Sequence, residues 1–146
     1  MSMFKTILVV CMGNICRSPI GERLLQRYCP QITVKSAGLA ALVDYPADKN
    51  AVKVAEQHSL SLEGHRARKL TATMCRENDL ILVMEKQHIN DISQIAPEVR
   101  GKTMLFGHWC NGREIPDPYR KSIEAFESVY LLLDDAAQKW AHALNR

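Results

Sequence analysis

"VVCMGNICRSP", residues 9–19, holds an apolar run that stops at a cysteine, a short polar loop, and a proline where a helical pattern begins. Upstream, "KTILVVC" (5–11) is β-branched and apolar without alternation, the pattern of a strand buried on both faces. Downstream, "SPIGERLLQRYC" (18–29) predicts a helix. Ser18 sits near its start, Pro19 suits its first turn, and Ile20, Leu24, Leu25 and Tyr28 form its apolar stripe.

The same alternation continues along the chain. "QITVKSAG" (31–38) predicts a second strand, 39–48 a loop, and "KNAVKVAEQHS" (49–59) a helix. "DLILVM" (79–84) predicts a third strand, and "KQHINDISQIA" (86–96) a helix with Ile89, Ile92 and Ile95 on one side. "TMLFG" (103–107) predicts a fourth strand. The loop 108–120 carries two prolines around an aspartate, and a last helix spans about 122–144. In that helix Ile123, Phe126, Tyr130, Leu133, Ala137, Trp140 and Leu144 step by three and four, which reads as a core-facing stripe before it reads as a coiled-coil seam. Strands alternating with helices predict an α/β sandwich built on a parallel sheet. Such sheets bind ligands at the carboxyl ends of their strands, and the first strand ends at Cys11.

Composition narrows the function classes. The 146 residues fit one domain, 1–146, with 47% apolar and 24% charged residues, as in ordinary globular proteins. No apolar run approaches the ~20 residues of a membrane span, and the N-terminus lacks a signal-peptide pattern. The expected compartment is the cytoplasm. A net charge of +3, with basic residues scattered among acids, gives no footprint for nucleic acid. Five cysteines (Cys11, Cys16, Cys29, Cys75, Cys110) without a C-x-x-C or zinc spacing argue against a disulfide framework or a metal cluster.

Cys11 to Arg17 is a Cys-x5-Arg loop leading into a helix N-terminus, where backbone N–H groups have no intrahelical partner and carry partial positive charge. A tight loop of such groups makes a concave anion site. Gly13 permits close approach and a left-handed backbone. Asn14 tolerates the same region and can brace neighbouring loops. Arg17 offers a planar fork for two phosphate oxygens. A thiol at the floor of such a site is favoured as thiolate, and Ser18 can donate a hydrogen bond to it. These residues point to a cysteine that attacks phosphorus, with charge on the phosphoryl oxygens stabilised by the loop. Cys16 reads either as a loop filler or as a resolving thiol for an oxidised Cys11.

Cleavage of a phosphate ester also needs an acid. "EIPDPY" (114–119) places Asp117 between two prolines, which restrict the residue before each to extended conformations. Tyr119 beside it is an aromatic wall for an aryl phosphate. An ordinary Asp-Pro turn is the alternative. The five histidines read as surface or satisfied residues, and Asp134–Asp135 as a solvated helix face. "HRARKL" (65–70) reads as an exposed segment able to help dock an acidic partner.

Taken together, "VCMGNICRSP", "SAGL" (36–39) and "DPY" (117–119) resemble the low-molecular-weight protein tyrosine phosphatases over essentially the whole chain. "SLEGHRARKL" and "RGKTMLFGHW…EIPDPYRKS" further resemble the bacterial, Wzb-type members. The resemblance implies a four-stranded parallel sheet of order 2-1-3-4 flanked by helices, with no metal and no cofactor. It implies Cys11 as nucleophile, Arg17 as phosphate ligand and Asp117 as general acid. Met12, Gly13, Asn14, Ile15, Cys16, Arg17, Ser18, Leu39 and Tyr119 would form the phosphate and substrate site. The implied substrate is a phosphotyrosine protein, an autophosphorylated membrane-associated bacterial kinase that controls capsule or exopolysaccharide export, met by a monomeric enzyme. Two departures from the eukaryotic pattern stand out: an aliphatic run, Leu39 to Leu42, with no aromatic residue until Tyr45, and Arg120 where a second tyrosine would follow DPY. Three rivals remain at this point. An arsenate reductase needs two further, closely spaced cysteines. A phosphocarrier needs neither Arg17 nor Asp117. A phosphotyrosine-binding module needs no nucleophile.

Overall fold

A computed structural model describes residues 4–145. The elements are β1 (Thr6–Cys11), α1 (Arg17–Tyr28), β2 (Thr33–Gly38), α2 (Lys49–Gln57), α3 (Ala72–Glu77), β3 (Leu80–Val83), α4 (Lys86–Ile95), a 3₁₀ helix (Pro97–Lys102), β4 (Thr103–Leu105) and α5 (Ile123–Leu144). The four strands form one parallel sheet of order β2-β1-β3-β4, as expected.

Alternation along β1 explains why its sequence is apolar throughout. Ile7, Val9 and Cys11 enter one core layer with residues of α1, α2 and α5, whereas Leu8 and Val10 enter a second with residues of α3, α4 and the 3₁₀ helix. β3 divides likewise, Leu80 and Leu82 to the first layer and Ile81 and Val83 to the second. Strands covered on both faces need no polar positions. The chain leaves β1 for β2 on one side and later places β3 on the other, so the carboxyl end of β1 lies at the topological switch point.

The stripe on α5 is core. Ser122 caps this helix by accepting from the Ala125 N–H, and Phe126, Tyr130, Leu133, Ala137 and Trp140 are buried. Trp140 Nε1 donates to the Phe106 carbonyl at 2.9 Å, satisfying the one polar atom it carries into the core.

Two elements escaped the sequence reading: α3, capped by Thr71, and the 3₁₀ helix that Pro97 opens. Both span six residues, too few for an apolar period to register. β4 is shorter than expected, three residues, although Phe106 N still donates to Val83 O at 2.7 Å beyond it. Ile95 is exposed, so α4 buries Ile92 fully and Ile89 in part. No helix among the described residues is long and apolar enough to cross a membrane.

Candidate active site

The loop between β1 and α1 is pinned from outside by its own carbonyls. Cys11 O accepts from Leu39 N (3.0 Å), Met12 O from Ala40 N (2.9 Å), Gly13 O from Leu42 N (3.1 Å) and Ile15 O from Asp48 N (2.8 Å). Asn14 O accepts from His65 Nε2 at 2.6 Å. Five consecutive carbonyls face outward. In a trans peptide the N–H opposes the C=O, so the N–H groups converge on the inside of the loop, over Cys11. The result is a concave array of positive dipole ends.

Asn14 holds this shape. Its backbone is left-handed (φ 58°) and its side chain fully buried. Its Oδ1 accepts from the Arg68 backbone N–H at 2.9 Å, which fixes the amide orientation, because only oxygen can accept there. Nδ2 therefore donates to Ser18 Oγ (2.7 Å) and Ser36 Oγ (3.0 Å). Since Ser18 Oγ accepts that bond, its own proton is free to point at Cys11 Sγ, 2.9 Å away. Gly13 does not use a left-handed backbone; Asn14 does. The glycine the loop requires is Gly38, paired with Cys11 in the sheet. A Cβ there would lie 2.7 Å from Met12 O and 3.0 Å from Asn14 N, both backbone atoms.

Arg17 is buried at the start of α1. Nη1 donates to Glu85 Oε2 (2.6 Å) and to the Ile115 carbonyl (2.8 Å). Nη2 lies 3.7 Å from Asp117 Oδ2, and the buried Nε has no partner among the described residues. One edge of the guanidinium is thus clamped by the protein, and the Nε/Nη2 edge is left to serve a planar, two-oxygen partner. Glu85 is a site residue the sequence reading missed; its signal was its place just beyond the carboxyl end of β3.

The loop after β4 brings Asp117 to this edge. Its Oδ1 accepts from Tyr119 N at 3.0 Å, and its side chain is 44% exposed, so it is both oriented and open to solvent. Cys11, Met12, Gly13, Ile15, Cys16, Arg17, Asp117 and Tyr119 line one cleft of about 320 Å³, with Ala40, Leu42 and Arg120 completing it. That volume suits a small ligand. Asn14 and Ser18 are buried beneath it.

Leu39 is a correction. It is half-buried and packs against the second core layer, and the aliphatic wall is made by Ala40 and Leu42. Leu39 N continues the ladder to Cys11 O, and the turn at residues 39–40 then brings Ala40 and Leu42 to the cleft. Of the histidines read as surface or satisfied, two are not at the surface, and His65 is satisfied by its bond to Asn14 O. His65 and His88 are buried, and burial pushes the pKa of each imidazole down. A neutral His65 donating from Nε2 fits its bond to Asn14 O. "HRARKL" is not simply exposed: His65, Ala67 and Leu70 are buried, and Arg68 Nε donates to the Ser36 carbonyl at 2.9 Å. Asp134 is partly withdrawn from solvent as the acceptor of the Tyr28 hydroxyl.

Cys16 is a free, buried thiol. Burial, then the charge of Asp48, pushes its pKa up, so it stays protonated. No group of three or more His, Cys, Asp or Glu side chains among the described residues is placed to hold a metal ion.

Known proteins resemble this chain in sequence and fold. Wzb, a low molecular weight protein-tyrosine-phosphatase of Escherichia coli K12, is 62% identical over 143 residues, covering 98% of this chain and 97% of its own. The crystal structure of Wzb from Escherichia coli K30 in complex with sulphate superposes with a TM-score of 0.96 at 60% identity, covering 97% of this chain and 99% of that one. Vibrio vulnificus Wzb in complex with benzylphosphonate gives a TM-score of 0.95 at 54% identity, with coverage of 97% and 99%. Residues 6–146 match the family described as low molecular weight phosphotyrosine protein phosphatase, and the chain belongs to that family of enzymes.

Proposed function

We propose that the chain hydrolyses phosphotyrosine through a phosphocysteine intermediate on Cys11, and that its substrate is a bacterial tyrosine autokinase controlling capsular or exopolysaccharide synthesis and export. The reading that 1–146 is a single domain acting as a cytoplasmic monomer belongs to the same proposal. One observation carries the chemistry: Cys11 Sγ sits under inward-facing loop N–H groups, a serine hydroxyl and a guanidinium edge whose Nε has no protein partner among the described residues. Three donor types aimed at one point favour a tetrahedral dianion there and a thiolate beneath it. The sulphate and benzylphosphonate complexes of the Wzb relatives support an oxyanion and an aromatic group as ligand chemistry. The substrate protein rests on the likeness to Wzb.

In the first step Sγ forms a bond to phosphorus while the phosphorus–oxygen bond to the tyrosine breaks. Asp117 gives its proton to the departing phenolic oxygen. Arg17, through Nε and Nη2, and the loop N–H groups hold the equatorial oxygens. In the second step water attacks phosphorus, Asp117 takes a proton from it, and the thiolate leaves, releasing inorganic phosphate. The Ser18 hydroxyl stabilises the sulfur anion at both ends of the cycle.

Steady-state hydrolysis of p-nitrophenyl phosphate tests this. Cys11→Ser abolishes turnover, and Asp117→Ala slows it by about 100- to 10,000-fold. A wild-type rate in Asp117→Ala, or a single stoichiometric burst without turnover, overturns the reading. Trapping with Asp117→Ala in a lysate of the source cells should retain a tyrosine-phosphorylated kinase.

A further inference from the structure

The turn after Asp117 holds a cation in an unusual place. Lys121 N donates to the Pro118 carbonyl at 2.9 Å, closing a four-residue turn over 118–121. Its third position is Arg120, with φ 62°. Turns of this kind ordinarily carry glycine or asparagine there, because a left-handed backbone strains a longer L side chain. An arginine kept at a strained position beside an active site suggests a use for the side chain.

The position of the guanidinium fits such a use. Its Cζ lies 5.3 Å from the centroid of the Tyr119 ring, and Arg120 lines the same cleft as Cys11, Asp117 and Tyr119. Among the described residues no carboxylate lies within ion-pair distance of it: Asp117 faces Arg17, and the Asp44 carboxylate pairs with Arg66. Arg17 is buried at the cleft floor, whereas Arg120 is exposed at its mouth. A phosphotyrosine reaching Cys11 must therefore bring its neighbouring residues past this cation.

Resting on the phosphotyrosine reading above, we infer that Arg120 is a specificity residue that recognises a carboxylate side chain flanking the phosphotyrosine of the substrate. Stacking on Tyr119 preorganises the guanidinium, so that little freedom is lost when it pairs. An acidic flank gains an ion pair at the rim, and a basic flank is repelled.

The test uses matched phosphotyrosine peptides that differ only in glutamate, glutamine or lysine within two residues of the phosphotyrosine. Wild-type kcat/KM should favour glutamate over glutamine by about two- to fivefold, the range of an exposed ion pair. The preference should shrink as ionic strength rises from about 0.01 M to about 1 M, where the Debye length contracts from about 30 Å to about 3 Å. Arg120→Asn keeps a residue suited to the turn and should bring the ratio to about one. Arg120→Glu should invert it towards lysine. Equal cleavage of glutamate and glutamine peptides by the wild type, or an unchanged preference in Arg120→Asn, overturns the inference while leaving the phosphatase reading intact. If no phosphotyrosine peptide is cleaved, the phosphatase reading fails and the inference falls with it.

Discussion

Replacing Asn14 tests whether the loop is held by side-chain hydrogen bonds or merely rests on its backbone. Asn14 is fully buried, makes three side-chain hydrogen bonds and has φ 58°. Each bond contributes about 0.5–1.5 kcal/mol net, so losing all three costs about 1.5–4.5 kcal/mol. Alanine in the left-handed region adds about 1–2 kcal/mol. Asn14→Ala should therefore lose about 2.5–6.5 kcal/mol, a large share of the ~5–15 kcal/mol typical of a domain. Asn14→Gly loses the same bonds without the backbone strain and should be about 1 kcal/mol more stable than the alanine variant. Urea unfolding of the three proteins, followed by tryptophan fluorescence, measures both differences. If both variants fall within 1 kcal/mol of wild type, the network does not hold the loop. If glycine is no better than alanine, the left-handed residue carries no strain.

Three further outcomes follow from the geometry. Gly38→Ala should destabilise by about 1–3 kcal/mol and depress activity, because its Cβ meets Met12 O at 2.7 Å; Gly13→Ala, whose Cβ meets only Ile15 Cγ1 at 3.7 Å, should unfold at the wild-type urea midpoint. Glu85→Ala releases one clamp on Arg17 and should raise KM for p-nitrophenyl phosphate by about 10- to 150-fold, from the ~1.5–3 kcal/mol of a charged hydrogen bond, with Glu85→Gln milder; an unchanged KM would show that Ile115 O alone positions the guanidinium. Burial lowers the folded-state pKa of His65 and His88 below the unfolded value of 6.5, so the unfolded chain takes up protons first. Stability should be complete above about pH 6.5 and fall as pH drops towards the folded values, by at most about 1.4 kcal/mol per pH unit per histidine; a His65→Gln, His88→Gln double variant should show a flatter slope in urea midpoints between about pH 7.5 and pH 5.

The sheet was legible because two of its strands, β1 and β3, are covered on both faces, and an unbroken apolar run has few other uses in a chain this short. Cys11 and Arg17 were legible because loop and helix start are contiguous in sequence. Asp117 was legible through its flanking prolines, although only the fold brings it to the Nη2 of Arg17. What stayed hidden depends on direction. Leu39 and Leu42 are alike in sequence, yet a turn at the end of β2 sends one into the second core layer and the other to the cleft. Gly13 looked like the permissive residue, but the tight approach is at Gly38, set by a strand pairing that the sequence does not display. His65 looked like a surface residue within a basic run; its partner is a carbonyl 51 positions away. Glu85 could have been found by asking which charged residue ends the strand beside β1.

A covalent phosphoryl group on Cys11 is the most direct test of the central claim. Wild-type enzyme turning over p-nitrophenyl phosphate is quenched in acid within milliseconds, digested, and the peptides are weighed. The peptide containing Cys11 should carry one phosphoryl group, absent without substrate and absent from the Cys11→Ser protein's spectrum as a thiophosphate. A burst of nitrophenol matched to enzyme with no phosphate on that peptide, or with phosphate on another residue, would contradict the role given to the thiol.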